Sequence, residues 1–293
     1  MSKALVVGLI SGEYTLFELE EKKVFLAKPR GVFRNNQTSL KVGDYVEYEK
    51  GHPFAIITKV MNRKNDLVRP PIANIDQAIV VTSLKEPDLN LNLLDRFLAI
   101  LEYNDIEPIL IFSKIDLLTD NEIKEMECIV DYYKKINYRV FITTNQEKSI
   151  IHCIQPYIKD KISVMIGQSG VGKSSLLNMI NENYNLKTDA ISKALNRGKH
   201  TTRYTILLPF ENGWIADSPG FGAIHLDELN EQTLSQSFRD FFEMSKQCKY
   251  NGCLHLNEPN CFIKKEVENG HILKSRYDNY VLLQQEIKNK RKW

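Results

Sequence analysis

Several short stretches of the chain carry residue types at spacings that could do chemistry. Gly167-Gln168-Ser169-Gly170-Val171-Gly172-Lys173-Ser174 fits the pattern G-x-x-x-x-G-K-[ST], with Ser175 directly after it. A loop of this kind wraps phosphate oxygens in backbone N–H groups at the start of a helix. Lys173 would neutralise the β- and γ-phosphate oxygens, and the Ser174 hydroxyl would coordinate Mg²⁺. The apolar run ISVMI precedes the loop and SSLLNMI follows it, which is the strand-then-helix context the mechanism requires. Far downstream, Cys248, Cys253, His255 and Cys261 crowd together in a segment rich in turn formers. Three thiolates and one imidazole suit a closed tetrahedral zinc site with a structural role and no open catalytic position. His271 falls outside that spacing and reads as a surface residue.

Three further stretches acquire meaning from the phosphate loop. Ser113-Lys114-Ile115-Asp116 follows the apolar run ILIF. Asp116 could accept two hydrogen bonds from the N1–H and exocyclic amine of guanine, a pairing adenine cannot supply, and Lys114 could lay its alkyl stem across the base. The residue usual at the first position is Asn; Ser113 is shorter, so the sequence predicts one polar contact fewer to the base or to the phosphate loop. Thr143-Thr144-Asn145 follows the run YRVFI and offers a second loop beside the base. Asp217-Ser218-Pro219-Gly220 follows WIA, where a nucleotide-binding sheet would place an acidic group for Mg²⁺ and a glycine amide for the γ-phosphate. Either Thr201 or Thr202 would complete the Mg²⁺ shell, with Thr202 the first choice. Phe221 stands where many GTP-hydrolysing enzymes carry a water-positioning Gln, so unaided hydrolysis should be slow, and His200 is the best candidate to orient the attacking water. Each stretch also has a plain counterpart: a Gly-rich turn, a solvated loop, an exposed histidine.

The elements that must position these residues fall into three textures. Residues 1 to about 66 alternate short apolar runs with turn formers: Leu5 to Ile10, Tyr14 to Leu19, Val24 to Ala27, Tyr45 to Tyr48 and Ala55 to Val60. Five short strands in so small a segment point to a closed barrel of the oligonucleotide-binding (OB) type. Asn62 to Pro71, polar, basic and ending in two prolines, reads as a linker. From 67 to 227, β-branched runs at Gln77 to Val81, Pro108 to Phe112, Tyr138 to Thr143 and Ile162 to Ile166 alternate with helical spacing such as Leu91 to Tyr103, which implies an α/β sheet. From 228 to 293 the strands stop and helices surround the cysteine cluster. The expected fold is therefore multidomain: a five-stranded OB-like barrel, a central α/β P-loop domain and a mostly helical zinc-binding module.

Composition bounds the partners. A formal charge of +2 over 293 residues creates no strong overall field, so RNA affinity would have to come from local surfaces. Basic residues gather at Lys28/Arg30/Arg34, at Arg63/Lys64/Arg69 and in the tail from Lys288 to Trp293, with Tyr14, Phe17, Phe25 and Phe33 interleaved on the barrel. Barrel, basic and aromatic groups together suit single-stranded or looped RNA. The opening residues read as a first strand rather than a signal peptide, and no run reaches the roughly 18 apolar residues of a membrane span, so a cytoplasmic protein without membrane contact is expected. Five cysteines, three of them around one histidine, favour metal over disulfides in a reducing compartment.

The order of the motifs is unusual. The base-reading loops at 113 and 143 precede the phosphate loop at 167, which precedes Thr201/Thr202 and Asp217, the reverse of ordinary GTPases. With ANIDQ at 73 to 77, SKID, GQSGVGKSS, RGKHTTR, DSPGF and the cysteine cluster, the chain resembles the ribosome small subunit-dependent GTPase A family, a circularly permuted GTPase family, over nearly its whole length. The resemblance implies a GTPase that binds the small (30S) ribosomal subunit and its 16S rRNA during late assembly, hydrolyses GTP to GDP with subunit-stimulated turnover, uses His200 in that step, carries Mg²⁺ with nucleotide and one zinc, and acts as a monomer. Two other readings remain open at this point. One is an RNA-binding scaffold whose nucleotide site senses but poorly hydrolyses GTP; the other is a P-loop kinase or ATPase acting on a small molecule, against which SKID counts.

Overall fold

The computed structural model describes residues 2–10, 12–31, 33, 39–68, 70–144, 147, 149–184, 205–217 and 226–290. His200, Thr201, Thr202 and Gly220 lie outside them, as do Arg34, Arg69 and Asn145. The chain divides into two compact units, one built from Met1–Ala78, Glu147–Ile166 and Lys173–Phe221, the other from Ile79–Gln146, Gly167–Gly172 and Gly222–Trp293.

The first unit opens with strands β1 (Ser2–Ile10), β2 (Glu13–Glu18), β3 (Val24–Pro29), β4 (Tyr45–Glu49) and β5 (Ala55–Val60), close to the five apolar runs read from the sequence. Their order is β1-β2-β3-β5-β4, and β4 pairs back onto β1 through Ser2↔Tyr48 to Leu5↔Tyr45, so the sheet closes. β3 and β5 run parallel and the other barrel pairs antiparallel, the connectivity of a five-stranded Greek-key barrel of the OB type. Alternation sends Ala4, Val6, Leu16, Ala27, Val46 and Ile57 inward, and Tyr14, Phe25 and Phe33 pack against that core.

The sequence reading of 62–71 as a linker needs correction. Strands β6 (Asp66–Leu67) and β7 (Ile72–Ala73) pair as a small antiparallel hairpin. Arg63 Nε donates to Asp44 Oδ1 at 2.7 Å, and its NH1 donates to Asp66 Oδ2 at 2.5 Å. Asn65 Nδ2 donates to the Ile75 carbonyl at 2.8 Å while Ile75 N–H returns to Asn65 Oδ1 at 2.8 Å. Polar character there reflects internal pairing rather than a solvated tether.

Three more strands complete the first unit: β11 (Ile162–Ile166), β12 (Ile206–Phe210) and β13 (Gly213–Asp217), in the order β11-β13-β12-β1. β11 and β13 are parallel, and β12 and β13 form an antiparallel hairpin. Helices α3 (Ser149–Ile158) and α4 (Lys173–Tyr184) belong to the same unit.

In the second unit β8 (Gln77–Ser83, mostly within it), β9 (Glu107–Ser113) and β10 (Arg139–Ile142) lie side by side, β9 and β10 in parallel. Nearly every residue of β8 and β9 is buried, as continuous β-branched runs require. Helices α1 (Leu91–Tyr103) and α2 (Asp120–Lys135) accompany these strands. Asn90 caps α1 by accepting the Leu93 N–H, and Thr119 with Glu122 forms a reciprocal capping box on α2. The C-terminal helices α5 (Glu231–Gln236), α6 (Arg239–Ser245), α7 (Phe262–Glu268) and α8 (Lys274–Lys290) follow, with no strand among the described residues after β13.

A buried charge cluster joins these C-terminal helices to α1 and α2. Arg276 on α8 is 1% exposed. Its NH1 donates to Asp95 Oδ1 on α1 at 2.6 Å, and its NH2 donates to Asp240 Oδ1 on α6 at 2.7 Å. Tyr133 on α2 donates to Asp95 Oδ1 at 2.7 Å, Tyr132 to Asp240 Oδ2 at 2.5 Å, and Asn279 Nδ2 to Asp95 Oδ2 at 2.7 Å. Burial works against the guanidinium charge, but Asp240 and Asp95 outweigh it and hold Arg276 charged well above the usual range. Among the described residues no helix is long and apolar enough to cross a membrane.

Candidate functional site

The phosphate loop connects the buried strand β11 to helix α4, the placement read from its flanking runs. Gly167 (φ 146°), Gly170 (φ 83°) and Gly172 (φ 101°) all occupy backbone conformations that L side chains rarely adopt. At Gly167 packing adds to this, because a Cβ there would stand 2.1 Å from the Val81 carbonyl oxygen. The loop therefore lies directly on β8. Gln168, Ser169, Val171, Lys173, Ser174 and Ser175 all fall on this turn or on the first residues of α4.

The base-reading loop adjoins it. Ser113, at the end of β9 and 4% exposed, donates its hydroxyl to the Val171 carbonyl at 2.7 Å. Serine, shorter than the asparagine usual at this position, therefore still makes a contact to the phosphate loop. Lys114 adopts the left-handed conformation (φ 63°) and its ammonium donates to the Glu86 carbonyl. Asp116 sits in a single turn of 3₁₀ helix, Ile115–Leu117, exposed, with no described residue pairing its carboxylate. The second loop joins the first: Thr143 N–H donates to the Phe112 carbonyl at 2.9 Å and Ile115 N–H to the Thr143 carbonyl at 3.4 Å. Within one unit, then, Ser113, Lys114, Asp116, Thr143 and Gly167–Gly172 share one edge of the β8-β9-β10 strands.

Asp217 ends β13, where its backbone is in parallel register with Met165, two residues before Gly167 in the chain. An acidic residue on the strand beside the phosphate-loop strand is the position Mg²⁺ chemistry calls for. His200, Thr202 and Gly220, the remaining candidates, fall outside the described residues.

Cys248, Cys253, His255 and Cys261 bring their ligand atoms within 4.8 Å of one another. His255 Nδ1 lies 3.4 Å from Cys261 Sγ and 3.7 Å from Cys248 Sγ, and Cys253 Sγ lies 3.8 Å from Cys261 Sγ. Tetrahedral ligands 2.0 to 2.3 Å from one ion stand about 3.5 to 3.8 Å apart, so the four atoms fit a single metal ion. Burial pushes the Cys253 thiol up to about 12, raises Cys261 and lowers His255, so in the metal-free site these three groups favour their neutral forms. Glu258 caps the turn, accepting from Leu254 N–H at 2.7 Å and Leu256 N–H at 2.9 Å. Tyr277 donates to the His255 carbonyl and Tyr280 to the Leu254 carbonyl, each at 2.7 Å. His255 Nε2 is buried with no partner among the described residues, so the ring is held by contact, edge-on to Phe241 with centroids 5.9 Å apart.

Sequence reasoning placed Glu258 in the turn but missed its capping role, and it missed Tyr277 and the Arg276 cluster. A charge inside an apolar helical face was the available signal: Asp95 sits among buried Leu94, Phe97 and Leu98. Several of the barrel groups read as RNA contacts have partners within the chain. Tyr14, Phe25 and Phe33 pack on the barrel core, Phe17 meets Trp214 edge-on at 4.9 Å, Arg63 is committed to Asp44 and Asp66, and Lys64 pairs with Asp76. Lys28 and Arg30 remain exposed.

Comparison with known proteins follows this geometry closely. The family model described as RsgA GTPase matches residues 60–227, and the RsgA N-terminal domain model matches residues 3–53. The small ribosomal subunit biogenesis GTPase RsgA 2 of Oceanobacillus iheyensis is 41% identical over 292 residues, covering 99% of each chain. The protein of that name, RsgA, from Bacillus subtilis is 40% identical over 295 residues, again covering 99% of both. Among solved structures, that of YloQ, a circularly permuted GTPase, aligns with a TM-score of 0.84 at 36% identity, covering 99% of this chain and 96% of the other. YjeQ from Thermotoga maritima aligns with a TM-score of 0.84 at 34% identity, covering 98% of each. With the reversed motif order, the closed barrel ahead of it and the Cys₃His cluster behind it, this chain belongs to the RsgA GTPase family.

Proposed function

We propose that this protein binds the small ribosomal subunit late in its assembly and hydrolyses GTP to GDP and phosphate there, with turnover stimulated by the subunit. The carrying observation is the Ser113 to Val171 hydrogen bond, which fixes the loop that would select guanine against the loop that would hold the phosphates. Full-length relatives named small ribosomal subunit biogenesis GTPase support the ribosomal part of the reading.

In this reading Asp116, exposed and unpaired, accepts the N1–H and exocyclic amine of guanine, while Lys114 covers the base with its stem. Backbone N–H groups from Gly167 to Ser175 cradle the phosphates, and Lys173 offsets charge on the β- and γ-oxygens. Ser174 and Thr202 would hold Mg²⁺, with Asp217 supporting them, and the Gly220 amide would meet the γ-phosphate. The ion would supply charge stabilisation to the phosphate oxygens. With Phe221 where a glutamine is common, His200 orients the attacking water when the subunit is bound. The knuckle ion is zinc, in a structural role. The working division is a barrel over 1–66, a permuted GTPase domain over 67–227 and a zinc-binding helical domain over 228–293. The barrel contacts 16S rRNA, and the protein works as a cytoplasmic monomer.

The test is GTP and ATP hydrolysis with and without purified small subunits, for the wild-type protein and for His200→Ala. The expected result is strong stimulation specific to GTP, lost in the variant. Turnover indifferent to subunits, or ATP used equally well, would sink the reading.

A further inference from the structure

Beside the metal knuckle a pocket of about 210 Å³ opens between α5, α6 and the turn that carries Cys248 and Cys253. Gln232, Gln236, Phe242, Lys246, Tyr250 and Asn251 are among the residues lining it, and no acidic residue is. Phe242 is 45% and Tyr250 43% exposed, so two of the large rings that this fold leaves in solvent meet at one small concavity. Each has a lysine beside it: Lys246 Nζ lies 5.9 Å from the Phe242 ring centre and Lys249 Nζ lies 5.5 Å from that of Tyr250. Lys246 also pairs with Glu243 at 3.1 Å, but both side chains are about two-thirds exposed, and such a pair gives way readily to a phosphate. The amides of Gln232, Gln236 and Asn251 are exposed and present donors and acceptors together.

Ring faces for stacking, amides for a hydrogen-bonding edge and ammonium groups for flanking phosphates are the groups that recognise an unpaired nucleotide. A duplex would offer the phosphates but hide the base faces. The barrel aromatics Tyr14, Phe25 and Phe33 are less free, being half-buried against the barrel core. We infer that this pocket holds one unpaired nucleotide of RNA, its base stacked on Phe242 and Tyr250. The inference rests on the ribosomal reading for RNA as the class of partner, and it locates a contact outside the nucleotide site and the barrel.

The test uses the full-length, metal-loaded protein and short fluorescein-labelled oligouridylate and oligoadenylate, single-stranded or annealed with each other. The compared variants are Phe242→Ala with Tyr250→Ala, the conservative pair Phe242→Tyr with Tyr250→Phe, and Lys246→Glu with Lys249→Glu. Fluorescence anisotropy should show single strands bound roughly tenfold or more weakly by the alanine pair, with near wild-type binding by the conservative pair. Duplex binding, metal content and subunit-free GTP turnover should be unchanged by the alanine pair. If the alanine pair loses metal, the charge-reversal pair decides, because it leaves the rings in place and must still weaken single-strand binding. Single-strand binding that is undetectable in the wild type, or unchanged in the variants, overturns the inference while leaving subunit-stimulated turnover to stand separately. Weakened binding to subunits with free RNA binding intact also overturns it, in favour of a ribosomal protein as the partner. Weakened RNA binding in a protein whose turnover ignores subunits would keep the pocket and remove the ribosomal reading.

Discussion

The C-terminal helices are fastened in two places, and the two fastenings solve the problem of buried polarity in opposite ways. Around Arg276 the chain supplies the partners itself: one guanidinium bridges two carboxylates, and the donors of Tyr132, Tyr133 and Asn279 satisfy their remaining oxygens. Around His255 the chain gathers three cysteines and an imidazole, with burial disfavouring the charged forms of Cys253, Cys261 and His255, and no cationic side chain of the protein pairs with the thiols among the described residues. The first fastening is complete in the polypeptide. The second is conditional on a cation. A helical module held by both can be released by metal availability at one end while remaining tethered at the other.

The largest expected effect comes from breaking the conditional fastening. Chelation, or Cys253→Ser, should unfold the turn 248–261, since ion binding to a small structural site is worth on the order of 10 kcal/mol and the segment has little core of its own. The barrel, which closes on its own apolar interior, should keep its structure. Hydrogen exchange followed by mass spectrometry with and without chelator checks both halves; equal loss of protection in the barrel and the turn would dissolve the contrast. Acid should do the same in stages. Burial places the folded-state His255 below its ordinary 6.5, so its contribution is fully present above about that value and is lost as pH falls through the lower folded value. Metal content measured across a descending pH series should therefore begin to drop below about 6.5, whereas the Arg276 guanidinium keeps its charge throughout.

Breaking the complete fastening should cost less than chelation, though still heavily. Arg276→Met leaves two carboxylates buried without their cation, a loss of about 3 to 5 kcal/mol in urea unfolding. Adding Asp95→Leu and Asp240→Leu removes the stranded charges and should recover much of that loss, because a buried ionic cluster is not intrinsically more stable than a well-packed apolar one. A triple variant as unstable as the single would mean the cluster stabilises through geometry rather than charge balance.

The same contrast explains what was legible in the sequence. Phosphate binding, guanine selection and metal coordination each demand particular residues at particular local spacings, so the GKS loop, SKID and the Cys₃His cluster are legible in the order of residues alone, and the barrel strands are visible from their period. Arg276 is not legible in that way, since its partners lie 36 and 181 residues away and an isolated Arg, Asp or Tyr carries no pairing code. Nor is the orientation of Tyr14 and Phe25, because an aromatic residue on a strand serves a core or a ligand equally well until closure of the barrel decides its face. The partner of the Ser113 hydroxyl was not legible for a related reason: which loop it reaches is set by how closely Val171 is drawn to β9.

The smallest effect separates what the chain contributes to the knuckle from what the ion contributes. Tyr277 donates to the His255 carbonyl at 2.7 Å, and burial keeps that phenol above its ordinary pKa, so it remains a donor at any working pH. Tyr277→Phe removes one hydrogen bond and keeps the ring, which should cost about 1 kcal/mol with metal bound. His255 adopts a left-handed backbone (φ 58°), and the Tyr277 hydroxyl helps hold that residue before an ion arrives. Without it, the turn must be ordered at the expense of metal binding, so the variant should bind the ion more weakly while its metal-loaded stability falls only slightly. Competition against a calibrated chelator, alongside thermal unfolding of the loaded protein, measures the two quantities. Equal affinity with reduced stability would instead assign Tyr277 to packing of α8, and the knuckle's preorganisation would then rest on Glu258 and Tyr280.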